Sequence, residues 1–319
     1  MPFESGNCRY HARLVFELAR AKVALPLCAA VFLGDGVLAA EADRTGTHSQ
    51  TSGYLDVGAS KIYYETRGSG PAAIILLHDG LLSSAIWDEV WRPLAKKYHL
   101  IRYDRRGYGR SELPTTSYSS TEDLVKLLAH LKVQHALLVG SSSGGALAID
   151  FAIEHPQMVD GLFLMGPVVH GMRYSKDFVA RANRNNEPME RDDVRAMARN
   201  WSQDRYLIAG ANEAARQKIY EQLVENGEKL KKFDSTLEEK LSPPASERLG
   251  EIKAPTLILM GQADIADVRA HCGAINAGIR GSTREFVKDT GHLIQLEKPD
   301  EVAKRIEEFA QGCEWKRAR

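Results

Sequence analysis

Short apolar runs alternate along the chain with stretches of helical spacing, and this alternation restricts the possible folds more than any other feature. Residues 72–77, 100–103, 136–139 and 161–165 read as strands rich in Ile, Leu and Val. Between them, residues 84–97 (Ile86, Val90, Leu94), 121–132 and 144–154 carry helical periodicity, the last ended by Pro156. The pattern resumes with a strand at 256–260, a helix at 266–277, a strand at 283–287 and a closing helix at 300–310. Two shorter strands, 54–57 and 61–67, precede it around Gly58. Strands this apolar are buried on both faces, so the expected class is α/β: a doubly wound, mostly parallel sheet covered by helices on each side.

Strands are missing between 169 and 250, where a charged stretch of helical spacing places Trp201, Tyr206, Leu207, Ile219, Tyr220 and Leu223 at apolar positions. Pro167 and Pro243-Pro244 bracket it, and proline suits a boundary better than a helix interior. The stretch is expected to be a helical cap inserted between a first core segment, 43–168, and a second, 251–319. Residues 1–42 read differently. Arg9, Arg13, Arg20 and Lys22 precede an apolar run at 23–33, Gly34-Asp35-Gly36 breaks it, and Ala39 or Ala42 offers a cleavage point. That order is expected of a secretory signal peptide, with a periplasmic or secreted product. The competing reading is a retained N-terminal extension of a cytoplasmic protein, and in either case the run is too short to span a bilayer.

Lys and Arg total 42, as do Asp and Glu, so no net field attracts nucleic acid or an anionic surface. A small-molecule substrate is the expected partner; oligomeric state is left open. No Cys or His cluster has ligand spacing, so neither a metal nor another cofactor is expected. Cys272 and Cys313 remain once a signal is removed, and they are expected to pair in an oxidising compartment.

Gly140-Ser141-Ser142-Ser143-Gly144-Gly145 lies between a predicted strand and a predicted helix. A strand turning directly into a helix leaves no room for side chains two positions either side of its apex. Only Ser142 has glycine at both of those positions, Gly140 and Gly144, so it is the candidate nucleophile. Turns of this kind also serve close packing or phosphate binding. Downstream, Asp264 follows the strand at 256–260, and His292 follows the strand at 283–287. Loops at the carboxyl edge of a parallel sheet converge on one crevice, so Ser142, Asp264 as orienting carboxylate and His292 as general base are expected to meet there. Asp267 competes with Asp264 but is expected within the next helix. His99, His130, His135, His155 and His271 are read as structural or solvated.

From about Tyr54 onward the chain resembles the α/β-hydrolase superfamily, in its serine esterase and lactonase branch. The resemblance rests on the Ser142 elbow, on Asp104-Arg105-Arg106-Gly107-Tyr108-Gly109-Arg110-Ser111 and on Gly291-His292. It implies an oxyanion hole formed by the amides of Gly80 and Ser143, with His78 a packing residue and the Asp104–Ser111 loop structural. Many relatives carry glycine where this chain has Asp79, and an ionised carboxylate facing a developing oxyanion would be costly. Asp79 therefore either points away and is hydrogen-bonded, or alters the pocket. The implied activity is hydrolysis of a small-molecule carboxylic ester through an acyl enzyme. Enol-lactone or carbon–carbon bond hydrolysis, and a non-catalytic receptor on the same fold, are the alternatives.

Overall fold

The computed structural model describes residues 50–313 and 315. The region read as a signal peptide lies outside these residues. The elements follow in chain order: β1 (Gln50–Asp56), β2 (Lys61–Arg67), β3 (Ala73–Leu77), α1 (Asp88–Leu94), β4 (His99–Tyr103), α2 (Ser120–His130), β5 (Ala136–Ser141), α3 (Ser143–Glu154) and β6 (Val159–Met165). After them come α4 (Lys176–Asn186), α5 (Val194–Ser202) and α6 (Glu213–Lys232), all outside the sheet. The sheet then resumes with β7 (Thr256–Gly261), α7 (Ala266–Gly278), β8 (Thr283–Val287), α8 (Ile294–Glu297) and α9 (Pro299–Gly312).

The strand order is β1-β2-β4-β3-β5-β6-β7-β8. The two pairings at the β1 end are antiparallel and every pairing from β4 to β8 is parallel. Strand periodicity divides the core into two layers. Ile74, Leu76, Leu137, Val139, Phe163, Met165, Leu257 and Leu259 pack on one face with residues of α1, α9 and the cap. Ile75, Leu77, Leu138, Leu162, Leu164, Ile258 and Met260 pack on the other with residues of α2, α3 and α7. Burying each such side chain contributes about 1.5–3 kcal/mol, which is why both faces must be covered.

Two helices end earlier than their periodicity suggests. The stretch at 84–97 opens as a 3-10 turn, Ser84–Trp87, and α1 stops at Leu94, where Lys97 N and Tyr98 N both close onto Leu94 O at 3.0 and 3.2 Å. Helix α2 stops at His130, and Lys132 then takes a left-handed conformation with φ +58°.

The expected disulfide does not form. Cys272 and Cys313 are both free and buried, Cys272 packed in the layer with α7 and Cys313 in the layer with α9. The sheet stands between these layers, and a disulfide needs Cα atoms closer than about 7 Å.

Candidate active site

Ser142 is the single residue between β5 and α3, and its backbone has φ +54° and ψ −116°. A non-glycine residue held there costs on the order of 1–3 kcal/mol, so the surroundings must impose it. They do so through the backbone. The Ser142 amide donates to Met165 O at 2.9 Å, and its carbonyl accepts from Ala146 N at 3.2 Å and Val168 N at 3.3 Å. The flanking glycines have a geometric cause. A Cβ on Gly140 would stand 2.6 Å from Gly144 O, and one on Gly144 would stand 2.3 Å from Leu77 O. The half-buried Ser142 side chain is thereby presented at the carboxyl end of the sheet.

Asp264 and His292 lie on the loops after β7 and β8, and the structure brings them into contact. His292 Nδ1 is 2.8 Å from Asp264 Oδ2, while Asp264 Oδ1 accepts from Ile265 N at 2.7 Å. With Nδ1 assigned as the donor, Nε2 is left as an acceptor for a hydroxyl proton. Burial pulls the His292 pKa down, but the charge and hydrogen bond of Asp264, aided by Asp79, outweigh it and leave the imidazole above its ordinary value. Among the described residues the Ser142 hydroxyl has no hydrogen-bond partner, and the half-buried side chain is open to a ligand. Asp267 is occupied elsewhere: its carboxylate accepts from the Ser175 amide and hydroxyl, at 2.5 and 2.8 Å, ahead of α4.

Gly80 and Ser143 are neighbours, for a Cβ on Gly80 would stand 2.9 Å from Ser143 Oγ. Ser143 is the first residue of α3, where backbone amides have no helical partner and the helix dipole favours negative charge. Asp79 answers the question its position raises. Its Oδ1 accepts from Leu81 N at 2.6 Å and Leu82 N at 3.0 Å, whereas its buried Oδ2 has no hydrogen-bond partner. Burial raises the Asp79 pKa against the opposing effect of those amides, His292 and Arg105.

His78 is locked into the frame: Nδ1 lies 2.7 Å from Asp79 O, and Nε2 accepts from Arg105 N at 3.0 Å. Burial, reinforced by Arg105, holds its pKa well below the ordinary value, so it stays neutral. The Asp104–Ser111 loop is similarly tied. Arg106 forks onto Asp123 at 2.6 and 2.7 Å, and Asp104 accepts from Ser84 N and Arg110 N, each at 2.8 Å.

A cavity of about 300 Å³ opens beside Gly80 and Ser143, walled by Arg105, Tyr108, Phe233 and Glu238. Burial alone would raise the Glu238 carboxyl; Lys240 and Arg105 instead hold it down at about 2, so the cavity keeps a fixed ion cluster. Arg105 also donates to Ser143 Oγ at 2.8 Å and to Asp79 O at 2.7 Å, joining the cavity wall to the loop.

One site residue escapes sequence reading. Gly166, directly after β6, has φ +49°, and a Cβ there would stand 2.9 Å from His292 Nδ1 and 3.2 Å from Asp264 Oδ2. It is the floor on which the acid–imidazole pair rests. The only sequence signal is a glycine between a strand and Pro167, which many turns share.

A family model described as the alpha/beta hydrolase fold matches residues 72–299. The chain is 27% identical to the 2-hydroxy-6-oxo-6-phenylhexa-2,4-dienoate hydrolase of Comamonas testosteroni, over 80% of this chain and 92% of that one. A solved N-acyl homoserine lactone degrading enzyme aligns with TM-score 0.65 and 26% identity, covering 81% of this chain and 100% of its own. A thermophilic esterase from Thermogutta terrifontis aligns with TM-score 0.69 and 22% identity, covering 82% and 98%, a likeness of fold. The match over most of the length agrees with the sheet order and the strand–serine–helix turn: the chain belongs to the alpha/beta hydrolase fold family.

Proposed function

We propose that the chain is a serine hydrolase that cleaves a small-molecule carboxylic ester through an acyl-enzyme intermediate. The observation that carries this reading is the strained Ser142 backbone on an elbow at the end of β5, together with an imidazole on the loop after β8 held by a carboxylate at 2.8 Å. His292 Nε2 accepts the Ser142 hydroxyl proton as the oxygen attacks the substrate carbonyl, and Asp264 stabilises the imidazolium. Amides of Gly80 and Ser143 receive the developing oxyanion. His292 then gives its proton to the leaving alcohol, and water attacks the acyl enzyme by the same route in reverse.

A second reading, hydrolysis of a carbon–carbon bond next to a carbonyl, is supported by the likeness to the dienoate hydrolase over 92% of its length. A lactone substrate is supported by the likeness to the lactone-degrading enzyme. Turnover of a panel of p-nitrophenyl esters, lactones and vinylogous diketo acids decides among them. The ester reading expects multiple turnovers on short-chain esters at least tenfold above the others. Turnover confined to the diketo acids would replace it with the second reading, and a single turnover on every substrate would favour a receptor.

A further inference from the structure

The proposed chemistry uses Asp264 and leaves another carboxylate, on the His292 loop, without a task. Glu297 ends α8, five residues beyond His292. Its Oε2 accepts from the Gly291 amide at 2.6 Å, and its Oε1 accepts from the Ala209 amide at 2.8 Å. Gly291 directly precedes His292. Ala209 belongs to the link between α5 and α6, in the cap. One side chain thus spans the histidine loop and the cap.

The backbone repeats the connection. His292 N donates to Tyr206 O at 2.7 Å and Leu293 N donates to Leu207 O at 3.0 Å. The approach is so close that a Cβ on Gly291 would stand 2.7 Å from Leu207 O. Arg216 on α6 stiffens the far side of the link by donating to Ser202 O, Ile208 O and Gly210 O at 2.8–2.9 Å. The link therefore presents a rigid edge, and the histidine loop is docked on it.

We propose that Glu297 is a positioning residue of the serine hydrolase described above: its ionised carboxylate clamps the cap link to the His292 loop and so aims the imidazole. This inference rests on that reading of the site. A carboxylate can accept both amides at full charge, whereas a protonated carboxyl presents a hydroxyl to one of them. Burial pushes the Glu297 carboxyl up to about 7, against the opposing effect of the two amides, Arg216 on α6 and Lys298 on its own turn. The ionised clamp is therefore present above about pH 7 and is lost as pH falls through that value. His292, whose pKa Asp264 holds above the ordinary value, also gains its proton as pH falls, so the two protonations act on the site in the same direction.

The test measures the rate of labelling by a serine-directed fluorophosphonate, and kcat and KM on the best ester, between pH 5 and 9, for the wild type and Glu297→Gln. Gln can accept one amide but turns an NH2 donor toward the other. The expected result is a wild-type acid limb steeper than one proton, and a Glu297→Gln enzyme with kcat and labelling reduced roughly tenfold to a hundredfold at pH 8, KM little changed and a one-proton limb. A Glu297→Gln enzyme with wild-type rate and limb overturns the proposal. Hydrogen exchange at Ala209 and Gly291 in the wild type supplies a reading that needs no variant. After correction for intrinsic rate, protection should rise between pH 6 and 8, and unchanged protection overturns the clamp. If the wild type takes no label and turns over no ester, the serine hydrolase reading fails by itself, while the exchange result still judges the clamp.

Discussion

The Ser142 elbow and the His292 loop stand at the ends of strands in one sheet, yet they are held by different parts of the molecule. Every group that fixes the Ser142 backbone belongs to the core: Met165 O, Ala146 N, Val168 N and the contacts that exclude side chains at Gly140 and Gly144. The His292 loop instead gives its amides to Tyr206 O and Leu207 O in the cap link, with Glu297 bridging the two. Packing the core sets the Ser142 backbone. Docking the cap link holds the His292 loop. Substitutions at the elbow should therefore act through stability as well as rate, and substitutions around His292 mainly through rate.

The sharpest way to break this comparison is to remove the base. His292→Ala should lower kcat by a factor on the order of 10⁴ to 10⁶ while leaving the melting temperature nearly unchanged. Asp264→Asn should cost about 10³- to 10⁴-fold and should also move the acid limb. Because Asp264 holds the imidazole pKa above its ordinary value, the wild-type rate falls as pH drops through that raised pKa, and removing the carboxylate shifts the fall to lower pH. An unchanged limb in a folded Asp264→Asn enzyme would contradict the assigned pair.

A smaller effect separates the two regions more finely. Gly144→Ala drives a Cβ to 2.3 Å from Leu77 O, which the sheet cannot yield, so stability should fall by about 1–3 kcal/mol. Gly166→Ala meets the imidazole instead, a group that can move. It should reduce kcat roughly tenfold to a hundredfold, with a strain cost of about 1–2 kcal/mol from its positive φ. Thermal melts and steady-state kinetics on both variants check the contrast. Full kcat in Gly166→Ala would remove this glycine from the site.

These contrasts also mark what was legible in the sequence. The inner strands of the parallel sheet were readable because burial on both faces leaves continuous apolar runs, as in Ala73–Leu77 and Ala136–Ser141. Asp264 and His292, now 2.8 Å apart, could be picked out because loops after parallel strands share one edge. Gly166 and Glu297 could not, since their parts depend on what approaches them: an imidazole in one case, two amides from distant segments in the other. The pairing of Cys272 with Cys313 was misjudged for a related reason. Chain order does not say on which face of the sheet a helix packs, and the two cysteines fall on opposite layers.

The central claim is that the elbow makes Ser142, and neither of its serine neighbours, the nucleophile. Labelling with a serine-directed fluorophosphonate, followed by peptide mass mapping, tests it most directly. Ser143 should behave as an oxyanion residue, since its side chain accepts from Arg105 at 2.8 Å, and Ser141 accepts from Gln295 at 3.3 Å in the interior. The account predicts label on Ser142 in the wild type and in Ser143→Ala, and none in Ser142→Ala. Label on Ser141 or Ser143, or undiminished labelling of Ser142→Ala, would contradict it.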